Sequence, residues 1–432
     1  MQSVDTIFAL SSGALPSGVA VVRLSGPHTK KALRHLLGKL PAPRGAVYAS
    51  IRNRKGLILD RGLALLFPEP ASFTGEDCAE LHLHGGRAVV AAVLAELSGM
   101  DGLRHAEAGE FTKRAFLNGK LDLLQAEALA DLIEAETEAQ RRFAVSNAGG
   151  FQSQLYEAWR GRLLHARAMI EAELDFADES DVPGSVSDVV WADMASLRAE
   201  IGRHIDDFHK AEMIRDGFRV AILGAPNAGK SSLLNSLVRR DAAIVTDEPG
   251  TTRDVIEVAL DLNGYKVLIA DTAGIRNEAE TVEAIGIDRA IRAGQAADLA
   301  LVLIEPGGCR PQLELSSEQV IVRSKADLGN EAQDGELALS TVSGFGLDRL
   351  LDLIASKAEA AARVTGAIPS HLRHVELLAH GRDAIEAALA GEELELKAEE
   401  LRRASDQLGR ISGRIDPEEL LGAVFSSFCI GK

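Results

Sequence analysis

Residues 218–238 read FRVAIL, GAPNAGKS, SLLNSLV, and this stretch decides the fold of the segment around it. Residues 224–231 fit the pattern G-x-x-x-x-G-K-[ST], with an almost purely apolar run before it and an amphipathic helical pattern after it. A buried strand that turns through glycines into a helix presents successive backbone N–H groups to an anion. The helix N-terminus adds its partial positive charge. In such a loop Lys230 meets the β- and γ-phosphates of a nucleotide, and Ser231 ligates Mg2+.

The downstream residues select the nucleotide. Gly250-Thr251-Thr252-Arg253-Asp254 lies in a loop where a second Mg2+-liganding threonine belongs, and Thr252 fills that place. IEVALDL and YKVLIAD, joined by Asn263-Gly264, read as a β-hairpin with an Asn-Gly turn. The second strand runs into Asp271-Thr272-Ala273-Gly274, where Asp271 reaches the metal shell and Gly274 offers its N–H to the γ-phosphate. EQVIVR leads into Ser324-Lys325-Ala326-Asp327. A carboxylate there accepts two N–H donors from guanine, whereas adenine leaves it unpaired. Ser340-Thr341-Val342 opens the next loop suited to the base.

This ordered set resembles the translation-factor-like GTPase class, which usually carries Asn where this chain has Ser324. Guanine selectivity is therefore expected to rest on Asp327, with weaker binding than usual. Ile275 follows the glycine where Ras-like enzymes place a water-orienting Gln. Glu283 is the nearest promising acceptor for that water, although composition alone reads it as a solvated helix residue. No cis arginine finger stands out; Arg253 and Arg276 are candidates without support. A cation at the phosphates can supply the missing charge instead, and the side-chain oxygen of Asn227 suits a hard monovalent ion.

Outward from this core the chain changes texture. Its 432 residues, 46% hydrophobic and 26% charged, have ordinary globular composition and suggest two or three domains. Residues 1–118 mix β-like runs such as VAVVRLSG, GLALLF and CAELHLHGG with a helical stretch at 87–97. Glu80, His82 and His84 share one face of an alternating strand; with no further spaced ligand, a solvated face is the reading preferred over a metal site. From Lys120 the pattern is helical and acidic, one continuous run over LDLLQAEALADLIEAETEAQRR, then helices near 152–175 and 191–215. Strands and helices alternate from Gly217 to about Arg363, and 371–428 is helical again. An α/β domain inserted into a helical one is expected, with boundaries at 1–118, 119–214, 215–365 and 366–432.

The net charge of −17 argues against nonspecific nucleic-acid binding by the whole surface. Residues 1–120 nevertheless hold 15 Lys/Arg against 10 Asp/Glu, so a polyanion can still be met locally. No apolar run approaches the roughly 20 residues of a membrane span. The N-terminus lacks a basic lead-in, so no signal peptide is expected. Cys78, Cys309 and Cys429 make neither a disulfide framework nor a zinc pattern. A cytoplasmic protein is expected.

Outside the nucleotide motifs, the stretches DTIFAL, VVRLSG, FTGEDCAELHLHGG, GEFTKRAFLNGKLDLLQAEALADLI and the closing FSSFCIGK closely resemble the MnmE (TrmE) family of tRNA-modification GTPases. The resemblance runs essentially end to end. It implies an α+β folate-binding-like N-terminal domain that dimerises, a helical domain, and an inserted Ras-like α/β P-loop G domain. It also implies a flavin-binding MnmG-like partner in a heterotetramer. Together they place a carboxymethylaminomethyl or aminomethyl group on the wobble uridine of tRNA, with 5-formyl- or methylene-tetrahydrofolate as one-carbon donor. Position by position, the resemblance puts nucleotide contacts on Asn227, Ala228, Gly229, Lys230, Ser231 and Ser232. It adds Thr246, Asp247, Glu248, Pro249, Gly250, Thr251 and Thr252, then Asp271, Thr272, Ala273 and Gly274, and finally Ser324, Lys325, Asp327, Ser340 and Thr341. Potassium ligands fall on Asn227, Thr246, Glu248 and Thr251, the catalytic glutamate on Glu283, and folate contacts on Arg23, Glu80, Lys120 and Lys432. Cys429 matches a family cysteine. The tail CIGK is not a prenylation signal, its third residue being glycine. The loop SGALPSG departs from the family's Pro-Pro-Gly-Arg-Gly-Gly. The alternatives weighed are a ribosome-assembly GTPase of the Era type, a non-catalytic GTP-bound switch, and a folate enzyme with an accessory nucleotide domain.

Overall fold

The computed structural model describes residues 5–175, 186–239, 256–271, 292–311, 315, 317–415, 424, 425, 428 and 431. The chain divides into two compact units, one of Met1–Ala130, Tyr156–Gly161 and Ser405–Lys432, the other of Asp131–Leu155 and Arg162–Ala404. Among the described residues no helix is long and apolar enough to cross a membrane.

The first unit is built on a six-stranded sheet of order β3-β4-β5-β2-β1-β6, comprising β1 (Thr6–Leu10), β2 (Ser17–Ser25), β3 (Val47–Arg52), β4 (Ile58–Phe67), β5 (Cys78–Gly85) and β6 (Leu103–His105). All neighbours are antiparallel except β1 and β6. Alternation along β2 and β5 sends Val22, Leu24, Ala79, Leu81 and Leu83 to one face, where Leu33 and Leu36 of α1 (Thr29–Leu37) and Val93 and Leu97 of α2 (Arg87–Ser98) cover them. The intervening residues, Arg23 on β2 and Glu80 and His82 on β5, are half-exposed. This helix-on-sheet layer is what the mixed β and helical texture of 1–118 predicts. Next come α3 (Glu110–Leu117) and α4 (Leu123–Glu134). Leu123 and Ala126 of α4 pack with Phe425 and Phe428 from the C-terminal segment.

The expected single helix from Lys120 onward is two. α4 ends at Glu134 and α5 (Glu138–Ala148) begins after Thr137, whose hydroxyl accepts from the Gln140 N–H while the Gln140 side chain accepts from the Thr137 N–H. This reciprocal cap satisfies two backbone donors and overrides the apolar periodicity. Helices α6 (Phe151–Asp175), α7 (Val186–Asp206) and α8 (Phe208–Arg215) follow, the last two dividing the 191–215 stretch at Asp207.

The second unit holds a sheet of order β12-β11-β10-β7-β9-β8, comprising β7 (Phe218–Gly224), β8 (Ile256–Leu262), β9 (Tyr265–Asp271), β10 (Leu299–Ile304), β11 (Glu318–Arg323) and β12 (Leu337–Ala338). Only β8 is antiparallel to its neighbour. Every residue of β10 is buried, as expected for a parallel strand covered on both faces. α9 (Lys230–Val238) and α10 (Leu347–Ala361) supply Leu233, Leu234, Leu237, Leu350 and Ile354 to its core. The β8–β9 turn has φ of +54° at Asn263 and +85° at Gly264, as the Asn-Gly pair demands. Its Gly264 carbonyl accepts from the Ala139 N–H of α5 at 2.8 Å. Two further helices, α11 (Leu372–Ala390) and α12 (Leu394–Ile411), follow the sheet, and α7 packs along α11.

Candidate functional site

Parallel strands put their C-terminal ends on one edge, and this edge collects the described nucleotide motifs. Gly224 ends β7 opposite Leu303 of β10, Ile304 ends β10 opposite Arg323 of β11, and Arg323 lies opposite Ala338 of β12. The phosphate loop leaves β7 through Gly224 with φ of +150° and enters α9 through Gly229 with φ of +98°. Asn227 is also left-handed, with φ of +66°, and is exposed at the loop's apex. Lys230 folds over the loop, donating from Nζ to the carbonyls of Gly224 at 2.9 Å and Ala225 at 3.0 Å. Ser231 and Ser232 occupy the first turn of α9. This loop, with its glycines and helix N-terminus, is a cradle for phosphate oxygens.

The two loops that the sequence assigns to the base are tied together. After β11, Ser324 is 3% exposed, and its N–H and hydroxyl both donate to the Ile304 carbonyl, at 3.0 and 3.3 Å. Lys325 adopts φ of +57° and its ammonium pairs with Glu305 at 2.9 Å. The Ala326 N–H donates to Leu339 and the Leu339 N–H to Arg323, so the loop carrying Asp327 is laced to the one carrying Ser340 and Thr341. Ser340 is fully buried, and its hydroxyl accepts the N–H groups of Val342 and Ser343, at 3.3 and 3.2 Å. This is a hydroxyl-capped turn that fixes the second loop. Sequence reading missed Asn330, which is 8% exposed and donates from Nδ2 to the carbonyls of Ile304 at 2.9 Å and Ser324 at 2.7 Å. Its only outward signal is an amide placed just after Gly329.

Residues 246–252, 272–274, Glu283, Cys429 and Lys432 lie outside the described residues. Of Asp271 the backbone alone is described; it ends β9 in register with Ile222 of β7.

The first unit brings a second set together. Arg23 and Glu80 stand opposite one another on β2 and β5. The guanidinium donates to Glu80 Oε1 from Nε at 3.1 Å and from Nη2 at 2.9 Å, and it lies 5.7 Å from the Phe73 ring centre and 5.8 Å from that of Phe111. Glu80 Oε2 meets His82 Nε2 at 3.1 Å. Burial pushes the Glu80 carboxyl upward, but the His82 hydrogen bond and the Arg23 charge outweigh it and hold the group below its ordinary value. His84 turns instead to Asp60 at 2.8 Å. Among the described residues no cluster of three or more His, Cys, Asp and Glu side chains is arranged for a metal ion. Lys120 reaches the same loop that carries Phe73, donating from Nζ to the Pro70 carbonyl at 3.0 Å. Ser11 donates its hydroxyl to the Gly431 carbonyl at 2.8 Å, which brings the chain's last described residue to the end of β1.

The same unit holds a polar network, centred on a buried arginine, that sequence reading also missed. Arg114, with its side chain 7% exposed, pairs with Asp5 at 2.8 Å, Glu110 at 3.0 Å and Glu76 at 3.1 Å. Arg104 bridges Asp5 and Glu110, both at 2.5 Å. The signal was the GEFTKRAFLNGK block, which contains Glu110 and Arg114 but says nothing of their partners.

Comparison with known proteins covers the chain from end to end. The profile described as GTP-binding protein TrmE N-terminus matches residues 6–120, and that of the MnmE helical domain matches residues 123–429. The tRNA modification GTPase MnmE of Chelativorans sp. (strain BNC1) is 58% identical over 434 residues, 99% of this chain and 98% of that protein. Proteins of the same description from Mesorhizobium japonicum and Rhizobium meliloti are 57% and 55% identical, each covered in full together with this chain. With the phosphate-loop motif and the two later motif loops on one sheet edge, and relatives this similar over the full length, the chain belongs to the MnmE (TrmE) family of tRNA modification GTPases and is a GTP-hydrolysing enzyme.

Proposed function

We propose that this chain hydrolyses GTP in a potassium-dependent way when its G domains meet across a homodimer. The turnover serves modification of the tRNA wobble uridine with an MnmG-like flavoprotein in the cytoplasm. The observation that carries the reading is the full-length similarity to tRNA modification GTPases, joined to the nucleotide loops gathered on one edge.

Lys230 and the N–H groups at the start of α9 hold the phosphates, Asp327 reads guanine, and Ser231 with Thr252 holds Mg2+. Asn227, exposed at the apex of its loop, offers a hard oxygen to potassium, with Thr246, Glu248 and Thr251 completing the set. The cation supplies charge that stabilises the transition state, and Glu283 orients the attacking water.

The N-terminal set suits a flat hydrogen-bonding ligand such as the pterin of 5-formyl- or methylene-tetrahydrofolate. Arg23 and Glu80 supply donors and acceptors side by side, with Phe73 and Phe111 as apolar walls. Lys120 and Lys432 are cations for the glutamyl carboxylates. The folate, when bound, supplies the one-carbon unit, and these residues hold and orient it. Boundaries near residues 118, 214 and 365 for folate-binding, helical and G domains are part of the same proposal.

The test is steady-state GTP hydrolysis in potassium and in sodium, for wild type and Glu283→Ala, with GDP affinity measured alongside. Potassium should stimulate the wild type strongly. The variant should lose about 100-fold or more in turnover while GDP binding is kept. Equal rates in both salts, or an active variant, sink the mechanism.

A further inference from the structure

We propose that Asn330 is the positioning residue that holds Asp327 to the guanine base; this rests on the reading of the edge as a guanine-nucleotide site. Asp327 sits near the middle of a loop that starts at Ser324 and closes at Asn330. Within it a 3-10 turn spans Ala326–Leu328, followed by Gly329 with φ of +82°. From outside, the loop is held through its backbone by the Ala326 N–H to Leu339 and the Ser324 N–H to Ile304, both at 3.0 Å, and neither bond reaches past Ala326 to Asp327 itself. Its ammonium–carboxylate contact, Lys325 to Glu305, joins two side chains each about one-third exposed, so water screens the pair.

The buried amide of Asn330 does two things at once. Its bond to the Ser324 carbonyl at 2.7 Å closes the loop into a ring with Asp327 inside it. Its bond to the Ile304 carbonyl at 2.9 Å fixes that ring to the end of the neighbouring strand. Both partners are carbonyl oxygens, so only the NH2 end of the amide can face them, and the orientation of the side chain follows from chemistry. Ser324 is too short to do this work; its hydroxyl reaches the Ile304 carbonyl only at 3.3 Å. The weak guanine binding expected from Ser324 is therefore offset by an amide that arrives six residues later in the chain.

A carboxylate that must receive two N–H groups from guanine needs placement to a few tenths of an ångström, and its loop supplies that placement. The experiment compares GDP and inosine diphosphate, which lacks the 2-amino donor, on the full chain with wild type, Asn330→Ala, Asn330→Asp and Ser324→Asn/Asn330→Ala. GDP affinity should fall about tenfold in Asn330→Ala. The preference for GDP over inosine diphosphate should shrink, because the second bond to Asp327 is lost first. Asn330→Asp, nearly isosteric, sets a carboxylate against two carbonyls and should be no better than alanine. Ser324→Asn in the alanine background should restore both affinity and preference, since an amide there reaches the same Ile304 carbonyl. Unchanged GDP affinity in Asn330→Ala overturns the inference while leaving the guanine site standing. An equal loss for both nucleotides, or a tolerated aspartate, also overturns it, because each marks a purely structural residue. Absence of GDP binding by the wild type overturns the site reading and this inference together.

Discussion

His204 on α7 is 8% exposed, and its imidazole is pushed down to about 4. Burial is the main cause; the carboxylate of Asp207 works against it, and His374, itself fully buried, works with it. The native state thus refuses a proton that the unfolded chain accepts near its ordinary value of about 6.5. Stability contributed by the neutral ring is complete at higher pH and is lost as pH falls from about 6.5 towards 4. That loss amounts to about 2 kcal/mol between pH 7 and pH 5, an order-of-magnitude figure. Thermal unfolding followed over that range should show the His204→Gln midpoint falling less than that of the wild type. Parallel pH dependence in the two proteins would show that the ring is protonated in the native state.

Among the elements, the junction of β7 with the phosphate loop tolerates little change. A Cβ at Gly224 would stand 2.6 Å from the Leu303 carbonyl of β10, at a φ of +150° that side-chain-bearing residues rarely adopt. Gly229, at φ of +98°, meets nothing within 4 Å, so a substitution there strains only the backbone. In Gly224→Ala the empty loop relaxes away from β10, and a nucleotide must restore the strained form before it can bind. Strain of about 1–3 kcal/mol then appears as a roughly 5- to 150-fold loss of GDP affinity, readable with a fluorescent GDP analogue. The β8–β9 hairpin behaves in the opposite way: its Asn-Gly turn is unstrained for these residues, and its tip is held by Ala139 of α5. Phe143 of α5, Ile214 of α8 and Ala362 form the apolar seat beneath that contact, with Tyr265 packed against them.

At the scale of the whole chain, the first unit is closed by its own C-terminal segment. Phe425 and Phe428, 3% and 7% exposed, pack with Leu123 and Ala126, and a Cβ at Gly109 would stand 2.7 Å from the Phe425 carbonyl. Phe425→Ala should cost about 3–5 kcal/mol in the unfolding transition of this unit, because the removed ring leaves a cavity. The same variant should weaken binding of 5-formyltetrahydrofolate, since this segment carries Lys432. A folate titration unchanged in a destabilised variant would separate the tail from the ligand site. The sequence by itself determined the nucleotide fold and its motif order, because a phosphate loop, an Asn-Gly hairpin and apolar parallel strands are local patterns with their own periodicity and turn chemistry. It also announced the family through contiguous blocks. The break between α4 and α5 was written in Thr137 and Gln140, but apolar periodicity masked it. Asn330 closing the Ser324–Asn330 loop, Arg114 gathering Asp5, Glu76 and Glu110, and Ser11 donating to Gly431 were decided only by the tertiary structure. Such contacts join single polar groups across as many as 420 positions, and a pairing made in space to satisfy a buried donor or charge leaves no periodic trace along the chain.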